Sequence, residues 1–448
     1  MKTEDGFGFL RLLTICSEYF GLNRFLSSVV VCLTGLLIGF AIFWFIHSAP
    51  PREITITSGP AGSAFETNAV RYAEILARNG VTLKILPSQG SFENLDRLED
   101  PSAQVDIGFV QGGIANGTNA QNLLSLGSLA YEPLLVFYRG TNSIGLLSQF
   151  AGHRLAVGPV GSGTRALALA LLRTNGITDG GATTLLPLDA DAAAAALMAG
   201  TIDAAFMMSD SASMQTMRSL LRAPNIQLMS FEQADAYARR FNYLNRLRLP
   251  EGAIDLGRNL PAHDLSLIGP TVELLARRDL NPALSDLLLE AAREINGRAG
   301  IFQNQGEFPA PLVHEYTLSP DALRYYKSGK TFLYRNLPFW LASLANRVLV
   351  AFVPMVIVLV PGLRLVPILY RWKSQLRIYR WYRKLVVLER ELTLDWNPER
   401  RQEMTARLDE IETVVKQMRL PASFAYQFYM LRGHIDYVRA KLTARARE

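Results

Sequence analysis

The run AVGPVGSGTRALALALL (residues 156–172) closes an apolar, β-branched stretch, turns on three glycines and enters an amphipathic helix. The stretch TSGPAGSAFE (57–66) does the same earlier in the chain. Glycines in such strand-to-helix loops let the backbone bend and approach a ligand closely. The helix that follows presents unpaired N–H groups and the positive end of its dipole. Ser63, Ser162 and Thr164 add hydroxyl groups. Neither loop is a nucleotide motif. No lysine follows Gly62 or Gly161 as a P-loop requires, and Gly158, Gly161 and Gly163 give G-x-x-G-x-G rather than G-x-G-x-x-G. The loops read either as ordinary capped helix starts or as a pair of anion-binding ends.

Around them the pattern alternates. EITIT (53–57) precedes a helical stretch from Ser63 whose Phe65, Ala69, Tyr72, Ala73 and Leu76 share one face, with Gly80 placed as its C-terminal cap. VTLKILP, SFENLDRLED and VDIGFV follow; later come RLAVG, the helix from Gly163, TTLLPL, DADAAAAALMAG and DAAFMM. Strand–helix alternation with short loops predicts an α/β fold with largely parallel sheets.

Hydrophobic residues make up 49% of the 448, and mean hydropathy is +0.12, so membrane segments are expected. Phe25–Ile46 carries no charged residue and would reach about 33 Å as a helix, enough to cross a bilayer core. It reads as a retained anchor rather than a cleaved signal peptide, because a long polar segment precedes it and HSAPP is a poor cleavage site. A second span is read over 341–370, with Arg347 and Arg364 snorkelling and Trp340 and Trp372 as an aromatic belt; a buried soluble helix is the alternative. Cys16 and Cys32 both lie outside the central region, so disulfides do not stabilise it.

The formal charge of +6 is concentrated at the C-terminus, where Arg371–Glu448 holds 17 basic and 10 acidic residues. The basic Arg371–Lys384 flank orients the spans by the positive-inside rule. Both termini are then cytoplasmic and the middle of the chain is external. The expected organisation is a cytoplasmic segment 1–24, a span 25–46, an external domain 52–337, a span 341–370, and a cytoplasmic basic segment with a helical hairpin over 371–448. No base-reading motif accompanies the basic tail, so nucleic acid is not an expected partner. The Arg371–Lys384 stretch is expected at anionic lipid headgroups.

ITSGPAGSAF, VDIGFVQGG (105–113), AYEPLLVFYRG (130–140), RLAVGPVGSGTRALA (154–168) and GTIDAAFM (200–207) stand in an order that resembles the TAXI family of solute-binding proteins of TRAP transporters. The resemblance covers roughly 52–326. It implies a two-lobed, type II periplasmic-binding-protein-like external domain, with lobe 1 over about 52–138 and 252–330 and lobe 2 over about 139–251. It further implies capture of a small carboxylate-bearing solute, an amino acid or dicarboxylate, in the interlobe cleft for an integral membrane permease. The ligand-binding residues it implies are Gly161, Ser162, Gly163, Thr164 and Arg165 of one loop, with Ser63 and Phe65 opposite. Gln111, Gly112 and Tyr131 are further contacts at strand ends; Gln111 and Tyr131 read equally as satisfied residues at the lobe interface. The setting is a bacterial inner membrane, crossed twice, with the binding domain in the periplasm.

The five histidines, His47, His153, His263, His314 and His434, have no metal-ligand spacing, and there is no G-x-S-x-G elbow. Asp189, Asp191 and Asp203 read as helix caps or solvated loop residues. No enzyme activity, cofactor or metal is expected. In the tail, Leu408, Ile411, Val415 and Met418 form one apolar stripe, and Phe424, Phe428, Leu431, Ile435 and Val438 another. They predict an antiparallel helical hairpin, closed on itself or docked on a cytoplasmic partner. The alternative to a transport subunit is a tethered solute sensor that signals through the membrane helices to this tail.

Overall fold

Residues 24–114, 122–178, 180–312, 315–330, 332–394, 400–418 and 424–444 are described in the computed structural model of the protein. The N-terminal segment read as cytoplasmic, apart from Arg24, and His314 lie outside them. The chain divides into two units, Ala49–Asn346 and Met1–Ser48 with Arg347–Glu448. The first described helix, α1 (Arg24–His47), belongs to the second of these.

The 49–346 unit begins with β1 (Glu53–Thr57), α2 (Ala64–Arg78), β2 (Thr82–Leu86), α3 (Ser91–Glu99), β3 (Ile107–Gln111) and β4 (Leu123–Tyr131). Then follow β5 (Leu135–Arg139), β6 (Arg154–Ala156), α4 (Gly163–Thr174), β7 (Thr184–Leu186), α5 (Ala190–Ala199) and β8 (Ala204–Met207). Next come α6 (Met214–Arg222), β9 (Ile226–Leu228), α7 (Ala234–Arg240), β10 (Asn245–Leu249) and β11 (Leu265–Gly269). The unit ends with β12 (Thr271–Arg277), α8 (Pro282–Asn296), α9 (Pro320–Ser328) and α10 (Phe332–Asn336).

Two five-stranded sheets result, ordered β2-β1-β3-β12-β4 and β7-β6-β8-β5-β9. Each is the floor of one α/β lobe. Among the described strands, parallel ladders join β1 to β2 and β3, and β6 to β7 and β8. β12 runs antiparallel to β3 and β4, and β5 antiparallel to β8 and β9, so both sheets are mixed rather than largely parallel. These antiparallel strands are the ones next to the passages between lobes. The chain leaves lobe 1 between Tyr131 and Leu135 and returns between Gly269 and Thr271. Lobe 2 therefore starts before β5, not at 139, and includes β10 and β11 instead of ending at 251.

Local chemistry sets the helices. Ser63 caps α2 by accepting the Glu66 N–H (3.2 Å), and Glu66 accepts the Gly62 N–H (2.6 Å), a reciprocal capping arrangement. Phe65, Ala69, Tyr72 and Leu76 face the lobe 1 core with Ile54, Ile56, Phe109, Leu274 and Leu288. Asp189 caps α5 through the Ala192 N–H, whereas Asp203 accepts hydrogen bonds from Arg154. Lobe 2 has a core on each face of its sheet, one around Leu155, Leu171 and Phe206 and the other around Phe137, Leu197 and Leu220. Each such side chain contributes about 1.5–3 kcal/mol on burial.

The last long helix, α11 (Phe339–Leu394), has 56 residues and runs unbroken through Pro354 and Pro361. At 1.5 Å per residue it is about 84 Å long. Its Phe339–Gly362 portion is long and apolar enough to cross a membrane; in α1 the apolar run is shorter, Val31–His47. Arg347 stacks on the Phe45 ring (4.9 Å to the centroid) and donates to the Phe45 carbonyl (3.3 Å). Beyond it, Ile378, Leu385, Leu388 and Leu392 of α11 form a core with α12 (Arg401–Gln417) and α13 (Ala425–Ala444). The two tail helices pack their stripes together as a hairpin, and α11 joins them in a three-helix assembly. Two helices with one apolar stripe each leave an open seam, and α11 fills it. The basic stretch read as lipid-facing is helical here, with Ile378 in this core and Lys384 over the Trp381 ring (4.3 Å).

Candidate functional site

The loop before α4 and its first turn lie at the meeting of the two lobes. Ser162 caps α4, accepting the Arg165 N–H (3.1 Å) and donating to the Pro159 carbonyl (2.8 Å). Its hydroxyl is therefore engaged within its own loop. Gly161 accepts the Glu93 N–H of α3 across the lobes (2.9 Å). Gln111, at the end of β3 and buried, donates from Nε2 to the Gly163 carbonyl (2.9 Å). Close approach requires the glycine there: a Cβ on residue 163 would overlap the Gln111 amide.

The anion expected at this helix start is present, and the chain itself supplies it. Asp210, in the loop after β8, is fully buried and takes the Gly163 N–H on Oδ2 (2.7 Å) and the Thr164 hydroxyl on Oδ1 (2.8 Å). Ser211 Oγ donates to Oδ1 (2.8 Å), and the Ser91 N–H at the start of α3 reaches Oδ2 (3.4 Å). The carboxylate sits on the N-termini of two helices, α3 from lobe 1 and α4 from lobe 2. That position uses both dipoles and free N–H groups from both lobes. Burial pushes its pKa up, against the hydrogen bonds from Thr164, Ser211, Gly163 and Ser91, which pull it down.

Glu132 stands beside it, in the passage from β4 to β5, and is also fully buried. Ser209 Oγ donates to its Oε1 (2.8 Å), and the Asp210 N–H bonds to it as well. Burial, and then the charge of Asp210, hold its carboxyl well above the usual range. Its Oε2 has no hydrogen-bond partner, and neither has Gln111 Oε1 or Arg165 Nη1. Asn94 of α3 ties the lobe 1 side together, accepting from Thr57 and Ser88 and donating to the Ser58 and Phe109 carbonyls.

Of the residues expected at the site, Gly161, Ser162, Gly163, Thr164 and Gln111 meet here. Ser63 is nearby in a different contact: it bridges to Ser213, and the next residue, Ala64, donates its N–H to the Ser209 carbonyl (3.0 Å). Phe65 instead packs in the lobe 1 core against Phe109, ring centroids 5.5 Å apart, because it lies on the inner face of α2. Tyr131 donates to Glu307 (2.9 Å) and stands edge-on to Phe308, so its hydroxyl is committed to lobe 1. Gly112 donates its N–H to the Thr271 carbonyl (3.0 Å). Asp210, Ser211, Glu132 and Ser91 were not anticipated. The signal for the first two was the polar SDS run (209–211) directly after the apolar strand β8. Among the described residues no group of three or more His, Cys, Asp or Glu side chains is arranged to hold a metal.

The sequence profile of the NMT1-like family matches residues 56–327. No curated protein matches the chain in sequence. Similar solved structures include an ancestral arginine-binding protein bound to arginine, at 12% identity and TM-score 0.36, covering 55% of this chain and 93% of that one. The periplasmic aliphatic sulphonate binding protein SsuA of Escherichia coli is similar at 16% identity and TM-score 0.35, with 54% and 69% covered. The substrate binding protein of an amino acid ABC transporter gives 13% and 0.32, with 54% and 92% covered.

Proposed function

This chain belongs to the NMT1-like family, and from that premise we propose that its 49–346 unit captures a small carboxylate-bearing solute between its lobes. One observation carries the reading: the Asp210 carboxylate seated on Gly163, Thr164 and Ser91. A place that holds one carboxylate with donors from both lobes has the chemistry to hold another, and the solute competes with Asp210 for those donors. Gly161, Ser162, Gly163, Thr164 and Gln111 form the site, Arg165 offers its unpartnered guanidinium nitrogen, and Ser63 lines the facing lobe. The finer assignment is a binding subunit of the TAXI type, delivering to a TRAP permease in a bacterial inner membrane. In it α1 and the Phe339–Gly362 part of α11 anchor the unit on the periplasmic side, with both termini cytoplasmic.

Calorimetry on the full-length protein in detergent, against a panel of small mono- and dicarboxylates, tests the binding. Thr164→Val should weaken it by about 1–3 kcal/mol, since a buried acceptor loses its donor. Unchanged affinity in Thr164→Val and Gly163→Ala together would remove this loop from the site. Extraction of the protein by alkaline carbonate, or a C-terminal reporter active only outside the cytoplasm, would refute the anchoring. A second reading, a tethered sensor, is favoured by one feature: a single unbroken helix, α11, carries both the membrane-length apolar portion and one side of the tail core.

A further inference from the structure

The neighbourhood of Asp210 is rich in acceptors that lack donors. Glu132 Oε2 is bare and its residue fully buried; Gln111 Oε1 is bare with its residue 1% exposed. Both are linked to Asp210, one directly and one through Gly163. Glu132 accepts the Asp210 N–H, while the Gln111 amide lies against Gly163, whose own N–H holds Asp210 Oδ2. Among the described residues no Lys, Arg or His is ion-paired with Glu132 or Asp210, whose side-chain oxygens accept only from hydroxyl and backbone N–H groups. Buried carboxylates without a cation are costly, and buried acceptors without a partner call for N–H donors.

Charge balance sharpens this. If a solute carboxylate takes over the Gly163 and Thr164 donors, Asp210 loses them and remains buried beside Glu132. A second carboxylate on that solute would add a further negative charge to the pair. A protonated amine on the same solute brings one positive charge and three N–H groups to the acceptors that lack them.

Resting on the carboxylate reading above, we propose that the solute is an amino carboxylate, its ammonium received by Glu132 and Asp210 with Gln111 Oε1 as a further acceptor. Glu132 is then the residue that separates amino acids from dicarboxylates and oxo acids.

The test is calorimetry on the full-length protein in detergent, with the twenty amino acids, the 2-oxo acids that match them, glutarate, succinate, and the amines putrescine and agmatine. At least one amino acid should bind tenfold or more tighter than its own oxo acid. Glu132→Gln should bring that ratio below threefold, and Glu132→Asp should keep it. Equal affinity for an amino acid and its oxo acid, or a ratio unmoved in Glu132→Gln, overturns the proposal. The oxo-acid comparison uses the unaltered protein, so it decides even where a variant fails to fold. Binding of glutarate or succinate alone would keep the carboxylate reading and refute the ammonium site. Binding of the amines alone would do the reverse. No heat from any of these probes would refute both.

Discussion

Asp210 satisfies four donors at once, and its removal has consequences in two directions. Asp210→Ala leaves Gly163, Thr164, Ser211 and Ser91 without their acceptor in a buried place. Thermal unfolding should show a loss of about 1–3 kcal/mol, partly restored by added formate. The same variant should bind carboxylates that lack an amine more tightly, on the order of tenfold, because the internal competitor is gone; calorimetry reads this directly. Glu132 and Asp210 also set a pH dependence. Among the described residues the pair's hydrogen-bond donors are the hydroxyls of Ser209, Ser211 and Thr164 and the backbone N–H groups of Ser91, Gly163 and Asp210. Burial raises both folded pKa values, so above the ordinary carboxylate range the folded state binds more protons than the unfolded chain. Stability should therefore rise as pH falls from neutral toward about 5, and Glu132→Gln should flatten the rise in a series of melting curves. Asp203, held low by hydrogen bonds from Arg154, acts oppositely, but only at more acid pH. The hydroxyls of Ser162 and Thr164 were legible in the sequence as donors at a helix start. Their partner was not, since nothing in local spacing says which distant loop supplies an anion.

Among the elements, the helices were the readable part. In α2 the periodicity, the Ser63 cap and the terminal glycine agree, and in α5 Asp189 and Gly200 mark both ends. The strands were readable as strands but not by direction, because apolar alternation is the same for parallel and antiparallel neighbours. The passage between lobes was misplaced for a related reason. LAYEPLLVFYR (129–139) is nearly continuous in apolar character, and only Pro133 marks where β4 ends and β5 begins in another sheet. On the return passage Gly269 lies against Glu132, and a Cβ there would overlap the Glu132 carbonyl. Gly269→Ala should consequently disturb the hinge itself, lowering the melting temperature by an amount equivalent to about 1–3 kcal/mol. Gly163→Ala, by contrast, should break the Gln111–Gly163 contact between lobes. Its expected signature is a larger radius of gyration in solution scattering, with the lobe cores intact.

For the whole molecule, the division into two units predicts separable stability. Leu385, Leu408 and Leu431 are fully buried in the three-helix core of the tail. Leu408→Ala should cost about 2–5 kcal/mol and raise hydrogen exchange in α12 and α13 while leaving β1–β12 protected. Equal loss of protection in both units would show that they unfold as one. The basic tail and the two apolar runs were plain from composition. The third helix of the bundle was hidden, since the same α11 sequence was read as span and basic flank, and its buried Ile378, Leu385, Leu388 and Leu392 are spaced among charged residues.

One helix, α11, carries both the membrane-length apolar portion and a seam of the bundle. These two stretches consequently share a single helical phase. Each residue inserted between Gly362 and Ile378 turns everything beyond it by about 100° and advances it by about 1.5 Å, and seven residues nearly restore the original angle. A tether is indifferent to that angle. A device that passes lobe closure to the tail is not, so its output should oscillate with the number of inserted alanines, failing at two and recovering at seven. Uptake that stays level across the series identifies α11 as an anchor; a response that rises and falls with the turn of the helix identifies it as a shaft.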